Sequence, residues 1–76
     1  MKLNKESNTV AILIIGNEIL SGKTQDTNLN FIAKRCNDLG YSLKEVRVVR
    51  DDKKQIIKAL RELSKMYNNV FTTGGI

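Results

Sequence analysis

Seventy-six residues confine this chain to one small domain, and a chain of that length removes only about 60% of its unfolded surface from water. Thirteen basic and 8 acidic residues leave a net charge of +5, with no histidine and one cysteine, Cys36. This excludes a disulfide framework, a cysteine-based zinc site, histidine ligands and histidine triads, so any metal needs oxygen ligands.

Residues 1–8 are polar and charged and read as a flexible leader, with the folded unit expected over 9–76. Thr9 to Ile15, "TVAILII", is continuously apolar and β-branched, the pattern of a strand buried on both faces. It is too short to span a bilayer, and no small-residue cleavage site follows it before Glu18. Neither a membrane partner nor secretion is expected, which leaves a reducing, cytoplasmic compartment.

A polar stretch follows from Asn17 to Thr27. Leu29, Ile32, Ala33, Cys36 and Leu39 then recur at helical spacing, with Asp26 or Thr27 able to cap the start. Gly40 stands where a helix end favours a left-handed residue. Tyr41 to Val49 predicts a second strand, although its alternation through Leu43, Val46, Val48 and Val49 is imperfect. Asp51 is expected to cap a second helix, and Asp52 to favour its positive end. The apolar face of that helix reads Ile56, Ile57, Leu60, Leu63 and Met66 or Tyr67. Lys53, Lys54, Lys58, Arg61 and Lys65 fall on the same run and read as a solvated face, so nucleic acid is not an expected partner. Asn69 to Thr73 predicts a short third strand, followed by Gly74, Gly75 and Ile76.

The order β-α-β-α-β predicts an α/β fold with parallel pairing and right-handed crossovers, in which one face or edge of so small a sheet stays uncovered. With strand order 2-1-3, the ends of the first and third strands frame a crevice. Such a sheet has outer strands without neighbours, so further βα units are expected and the chain reads as truncated.

Three stretches carry chemistry. "GNEILSGKT", Gly16 to Thr24, ends like a nucleotide-binding P-loop. However, Gly16 and Gly22 are separated by five residues where the P-loop needs four, and Glu18 opposes an anion inside the loop. The P-loop reading fails on loop size. "VVRDD" places Asp51 at the end of the second strand, where a capping aspartate can still offer an oxygen to a ligand. "TTGG", Thr72 to Gly75, offers two hydroxyls and unhindered backbone N–H groups to a phosphate.

Together, "IIGNEILSGKTQDTN", "VVRDD" and "TTGG" resemble, in order and spacing, the N-terminal half of the molybdopterin-binding (MoaB/Mog-like) domain. The similarity runs from Thr9 to Ile76 and is greatest to the CinA-like, competence/damage-inducible branch. The resemblance implies a three-layer domain about twice this length. It implies that Thr72, Thr73, Gly74 and Gly75 bind the phosphate end of a ligand and that Asp51 takes part in adenylyl transfer. In the CinA-like branch it implies metal-dependent pyrophosphate cleavage, with Glu18 as a catalytic and metal-binding residue. The loop after the first strand then contributes Gly16, Asn17, Ser21, Gly22, Asp26 and Asn28, with Asn17 replacing the usual aspartate. Family members continue into a Gly-Pro-Thr-x-Asp-Asp-like segment, so this chain alone is expected to lack a complete catalytic centre.

The first expectation is therefore a truncated domain that binds a phosphate-containing pterin, such as molybdopterin, or a nucleotide, and is inactive alone. One alternative is half of a split ADP-ribose or FAD pyrophosphatase using a divalent metal ion, completed by the missing C-terminal half or by a homo-oligomer. The other is a small interaction module that pairs through an exposed sheet edge.

Overall fold

A computed structural model describes residues 8–17 and 29–73, with Leu29 described by its backbone alone. Strand β1 (Thr9–Ile15) is central, flanked in parallel by β2 (Ser42–Val49) and β3 (Asn69–Thr73) in the order β2-β1-β3. Helix α1 (Leu29–Asp38) connects β1 to β2, and α2 (Lys53–Met66) connects β2 to β3. The expected element order, parallel pairing and 2-1-3 arrangement are all present.

Every residue of β1 is buried because a helix covers each face of the sheet. Val10, Ile12 and Ile14 pack with Cys36 and Ile32 of α1. Ala11, Leu13 and Ile15 pack with Ala59 and Leu63 of α2, and with Val49. Alternation along one strand thus feeds two apolar layers. Complete burial of each of Val10, Ile12, Leu13 and Leu63 contributes roughly 1.5–3 kcal/mol.

The imperfect alternation of β2 has a structural cause. Val10 pairs with Leu43 but Ala11 pairs with Glu45, so Lys44 is an extra residue and forms a β-bulge. Before the bulge, Leu43 faces the α1 layer. After it, Val46 and Val48 regain that layer, with Val49 in the other.

Gly40 ends α1 as expected, with φ of 86°. Its N–H donates to the Asn37 carbonyl at 3.0 Å, and the Tyr41 N–H donates to the Cys36 carbonyl at 2.8 Å. These two bonds form a Schellman motif, which places a left-handed residue at this position. Beyond the last turn, Leu39 is exposed rather than part of the apolar face.

Helix α2 corrects two expectations. Its cap is Asp52, not Asp51: Asp52 has extended backbone angles and its carboxylate accepts from the Lys54 N–H at 3.0 Å. Its packed stripe is Ile56, Ala59, Leu60, Leu63 and Tyr67, whereas Ile57 and Met66 are 40% and 52% exposed. Ala59 is buried in the α2-side core with Ala11, Leu13 and Ile15.

At the amino ends of the strands, a polar network ties β1 to β3. The buried Thr9 hydroxyl donates to Asn68 Oδ1 at 2.9 Å and accepts from the Asn68 N–H at 2.9 Å. The Thr9 N–H also donates to Asn68 Oδ1, at 3.2 Å, and Asn69 Nδ2 donates to the Thr9 carbonyl at 3.2 Å. On the other side, the Ser42 N–H donates to the Asn8 carbonyl at 2.8 Å.

Candidate functional site

Helix α1 leads from β1 to β2 on one face of the sheet and α2 leads from β2 past β1 to β3 on the other, which makes the carboxyl ends of β1 and β3 the topological switch point. Register brings the predicted residues to this end. Thr73 pairs with Ile14, and Val49 with Ile15, so Gly16, Asn17, Asp51 and Thr73 all lie at or just past the last rungs.

The local geometry here is built from backbone groups. The buried Gly16 donates its N–H to the Val49 carbonyl at 3.1 Å, extending the β1–β2 ladder by one rung. One residue on, Asn17 Oδ1 accepts from the Asp51 N–H at 3.1 Å. The Asp52 N–H donates to the Arg50 carbonyl at 2.8 Å, making Asp51 the apex of a three-residue turn. Among the described residues, the exposed Asp51 carboxylate has no hydrogen bond or ion pair. With Asp52 serving as the cap, that carboxylate is available to a ligand.

Thr72 and Thr73 are half-buried and lie on opposite faces of β3. Thr72 shares the α2 side with Val70. Thr73 shares the α1 side with Phe71, whose ring meets Tyr41 edge-to-face at 6.3 Å. The two hydroxyls therefore cannot converge from one face, and Thr73 is the one at the end of the strand. Glu18, Ser21, Gly22, Asp26, Asn28, Gly74 and Gly75 lie outside the described residues.

A divalent metal does not fit the described residues by themselves. Among them, no group of three or more Asp, Glu, Cys or His side chains comes together. The polar side chains at the strand ends are instead the Asp51 carboxylate, the Asn17 amide and the Thr72 and Thr73 hydroxyls, the last two on opposite faces.

Among the described residues, the titratable groups with a shifted pKa are Glu45, Arg47 and Tyr67, away from Asn17 and Asp51. On the α2 side of β2, Arg47 donates to Glu45 Oε2 through Nε and Nη2, at 3.0 and 2.8 Å, and to Glu62 through Nη1. The Tyr67 hydroxyl donates to Glu45 Oε1 at 2.8 Å. The Tyr67 bond, then the Arg47 bond, hold the Glu45 carboxyl below its ordinary pKa. Glu45 in turn raises Tyr67, and Glu45 and Glu62 raise Arg47. This cluster fastens β2 to α2 and to the residue that follows it. Beside it, Arg47, Val49, Lys54, Lys58 and Glu62 line an open groove of about 340 Å³, which the sequence pattern did not reveal. Its side chains spring from two separate elements, and Arg47 and Glu62 are already paired with each other.

Fold and site together define an α/β domain with a parallel β2-β1-β3 sheet, a helix on each face and polar residues at its topological switch point. Residues 11–76 match the family described as "probable molybdopterin binding domain", and the chain belongs to that family. It is 43% identical over 68 residues to a probable FAD synthase of Caenorhabditis elegans, a match covering 90% of this chain and 13% of that protein. A protein of Sulfurisphaera tokodaii is 42% identical over 66 residues, covering 86% of this chain and 25% of its own length. Among solved structures, the protein CinA of Thermoplasma acidophilum, of unknown function, superposes with a TM-score of 0.83 at 33% identity. That superposition covers 91% of this chain and 41% of CinA. The chain thus spans less than half the length of each of these relatives. The MoaB/Mog-like and CinA-like resemblance read from "GNEILSG", "VVRDD" and "TTGG" is borne out.

Proposed function

We propose that this chain binds a phosphate-bearing pterin or nucleotide across the carboxyl ends of its three strands, and that it does not turn the ligand over by itself. The carrying observation is the Asp51 carboxylate, unpaired among the described residues, on a backbone whose N–H is held by Asn17 while Asp52 takes the capping role. A carboxylate accepts hydrogen bonds from neighbouring donors, such as the amino and ring N–H edge of a pterin or the paired hydroxyls of a ribose. The Thr73 hydroxyl and the N–H groups of Gly74 and Gly75 suit the phosphate end, since backbone donors next to glycine can approach an anion closely. The domain family supports this reading.

The test is an NMR titration of the chain with a pterin phosphate, ADP-ribose and FAD. Saturable shifts at the Asn17, Asp51 and Thr73 amides are expected for at least one ligand. Shifts confined to the Thr9 and Asn68 end, or none with any of the three, overturn the reading.

A second reading follows the CinA-like likeness, with the FAD synthase name of the C. elegans relative as distant support for a flavin-nucleotide ligand. In it, the chain supplies one half of a metal-dependent pyrophosphatase acting on ADP-ribose or FAD, and a second polypeptide supplies the rest. Mixing the chain with the segment that follows the matched part of CinA, plus magnesium and ADP-ribose, tests it. AMP release by the mixture and by neither part alone supports it, and no release from the mixture removes it.

A further inference from the structure

We propose that Asn17 is the positioning residue for Asp51, joining the loops after β1 and β2 into one unit; this rests on the binding reading above. Gly16 makes the last main-chain rung between the two strands. One residue further on, both strands have ended and a side chain takes over: Asn17 Oδ1 reaches the Asp51 N–H, 34 positions away in sequence. On its other side, Asp51 is bracketed by the Asp52-to-Arg50 bond and by the start of α2. The Asp51 backbone is therefore restrained from both sides, while its carboxylate has no structural partner among the described residues. Fixing the main chain of a residue and leaving its charged group free is how a fold prepares a contact for a ligand.

The amide also explains why asparagine suits this position. A neutral acceptor holds the Asp51 N–H without setting a second carboxylate against an anionic ligand. Seen this way, Asn17 acts on the loop geometry, and its replacement of aspartate does not have to be read through a metal.

The experiment uses the whole chain and ADP-ribose, FAD and a pterin phosphate as probes, with amide exchange and binding measured by NMR. Loss of one hydrogen bond predicts that Asn17→Ala weakens binding about fivefold and speeds exchange at the Asp51 amide, with the urea midpoint unchanged. Asn17→Asp retains an acceptor oxygen, so the Asp51 amide stays protected. If Asn17 acts through Asp51, adding Asn17→Ala to Asp51→Asn weakens binding no further, whereas independent contacts add. Wild-type binding that Asn17→Ala leaves intact, or that it weakens equally in both backgrounds, overturns the inference alone. A wild-type chain that binds none of the three probes overturns the binding reading and this inference with it.

Discussion

The two ends of the sheet are built by different rules. At the amino end, Thr9 is buried and its hydroxyl, N–H and carbonyl all bond to Asn68 or Asn69. At the carboxyl end, one main-chain rung and one side-chain bond connect β1 to β2, and the Asp51 carboxylate stays unpaired among the described residues. Polar groups at the first end bond to one another across β1 and β3, so they contribute to stability. Those at the second end are held in place but not used up. In an open parallel sheet the helix and strand order puts the crevice at the carboxyl ends, and the bonding pattern of this chain follows that division of labour.

The largest effect is expected at the amino end. Thr9→Val keeps the side-chain shape but removes the hydroxyl, leaving the Asn68 N–H without its acceptor. Losing the two part-buried hydrogen bonds of the Thr9 hydroxyl, each contributing about 0.5–1.5 kcal/mol, is read as a lowered urea midpoint. Ligand binding at the other end is expected to stay within twofold. A loss of binding in proportion to the loss of stability breaks the comparison, because the two ends then behave as one.

The carboxyl end predicts the reverse. Asp51→Asn should weaken ligand binding about tenfold, since hydrogen bonds to a charged acceptor contribute about 1.5–3 kcal/mol. Its stability should move by no more than about 0.5 kcal/mol, as for surface changes away from structural features. The neighbouring residue separates the two roles. Asp52→Ala removes the α2 cap and is expected to cost about 1 kcal/mol, whereas Asp52→Asn, which also caps, costs little. Equal destabilisation by Asp51→Ala and Asp52→Ala, measured by urea unfolding, contradicts the assignment of the cap to Asp52.

Much of the fold was legible because its signals are local. The unbroken apolar run of β1 announced a strand covered on both faces, and Gly40 marked the end of α1 through its positive φ. The disturbed alternation of β2 was visible too, but only pairing with β1 shows that Lys44 is the extra residue. Helical periodicity tolerated Ile57 and Met66 as core candidates and passed over Ala59, since which side of a wide apolar stripe meets the sheet is a tertiary matter. The same limit applied to the site. "VVRDD" placed two aspartates at the right end, yet adjacent residues compete for one cap, and backbone angles decided for Asp52. The Asn17 bond to Asp51 had no sequence signal at all, because its partners meet only once β1 and β2 pair.

The smallest predicted effect concerns the acid response of the bonds that reinforce the amino end. Tyr67, immediately before Asn68, donates its hydroxyl to Glu45, which is the partner of Ala11 in the sheet register. That bond and the Arg47 bond hold the folded Glu45 pKa below its unfolded value. The folded state therefore binds fewer protons than the unfolded one across the carboxylate range. The stability from this pairing is fully present above the unfolded glutamate pKa and is lost as pH falls through the lowered folded value. Tyr67 is raised by the same contact, so its contribution is present below the unfolded tyrosine pKa and is lost as pH rises through the folded one. Tyr67→Phe should thus lower the urea midpoint slightly at neutral pH, with the difference from wild type shrinking toward both acid and strong alkali. A constant difference at every pH means that the Tyr67 ring matters only for packing. Ligand binding at the Asp51 end should be unaffected by Tyr67→Phe at neutral pH, because the hydroxyl–carboxylate bond joins β2 to the residue before Asn68, away from Asn17 and Asp51.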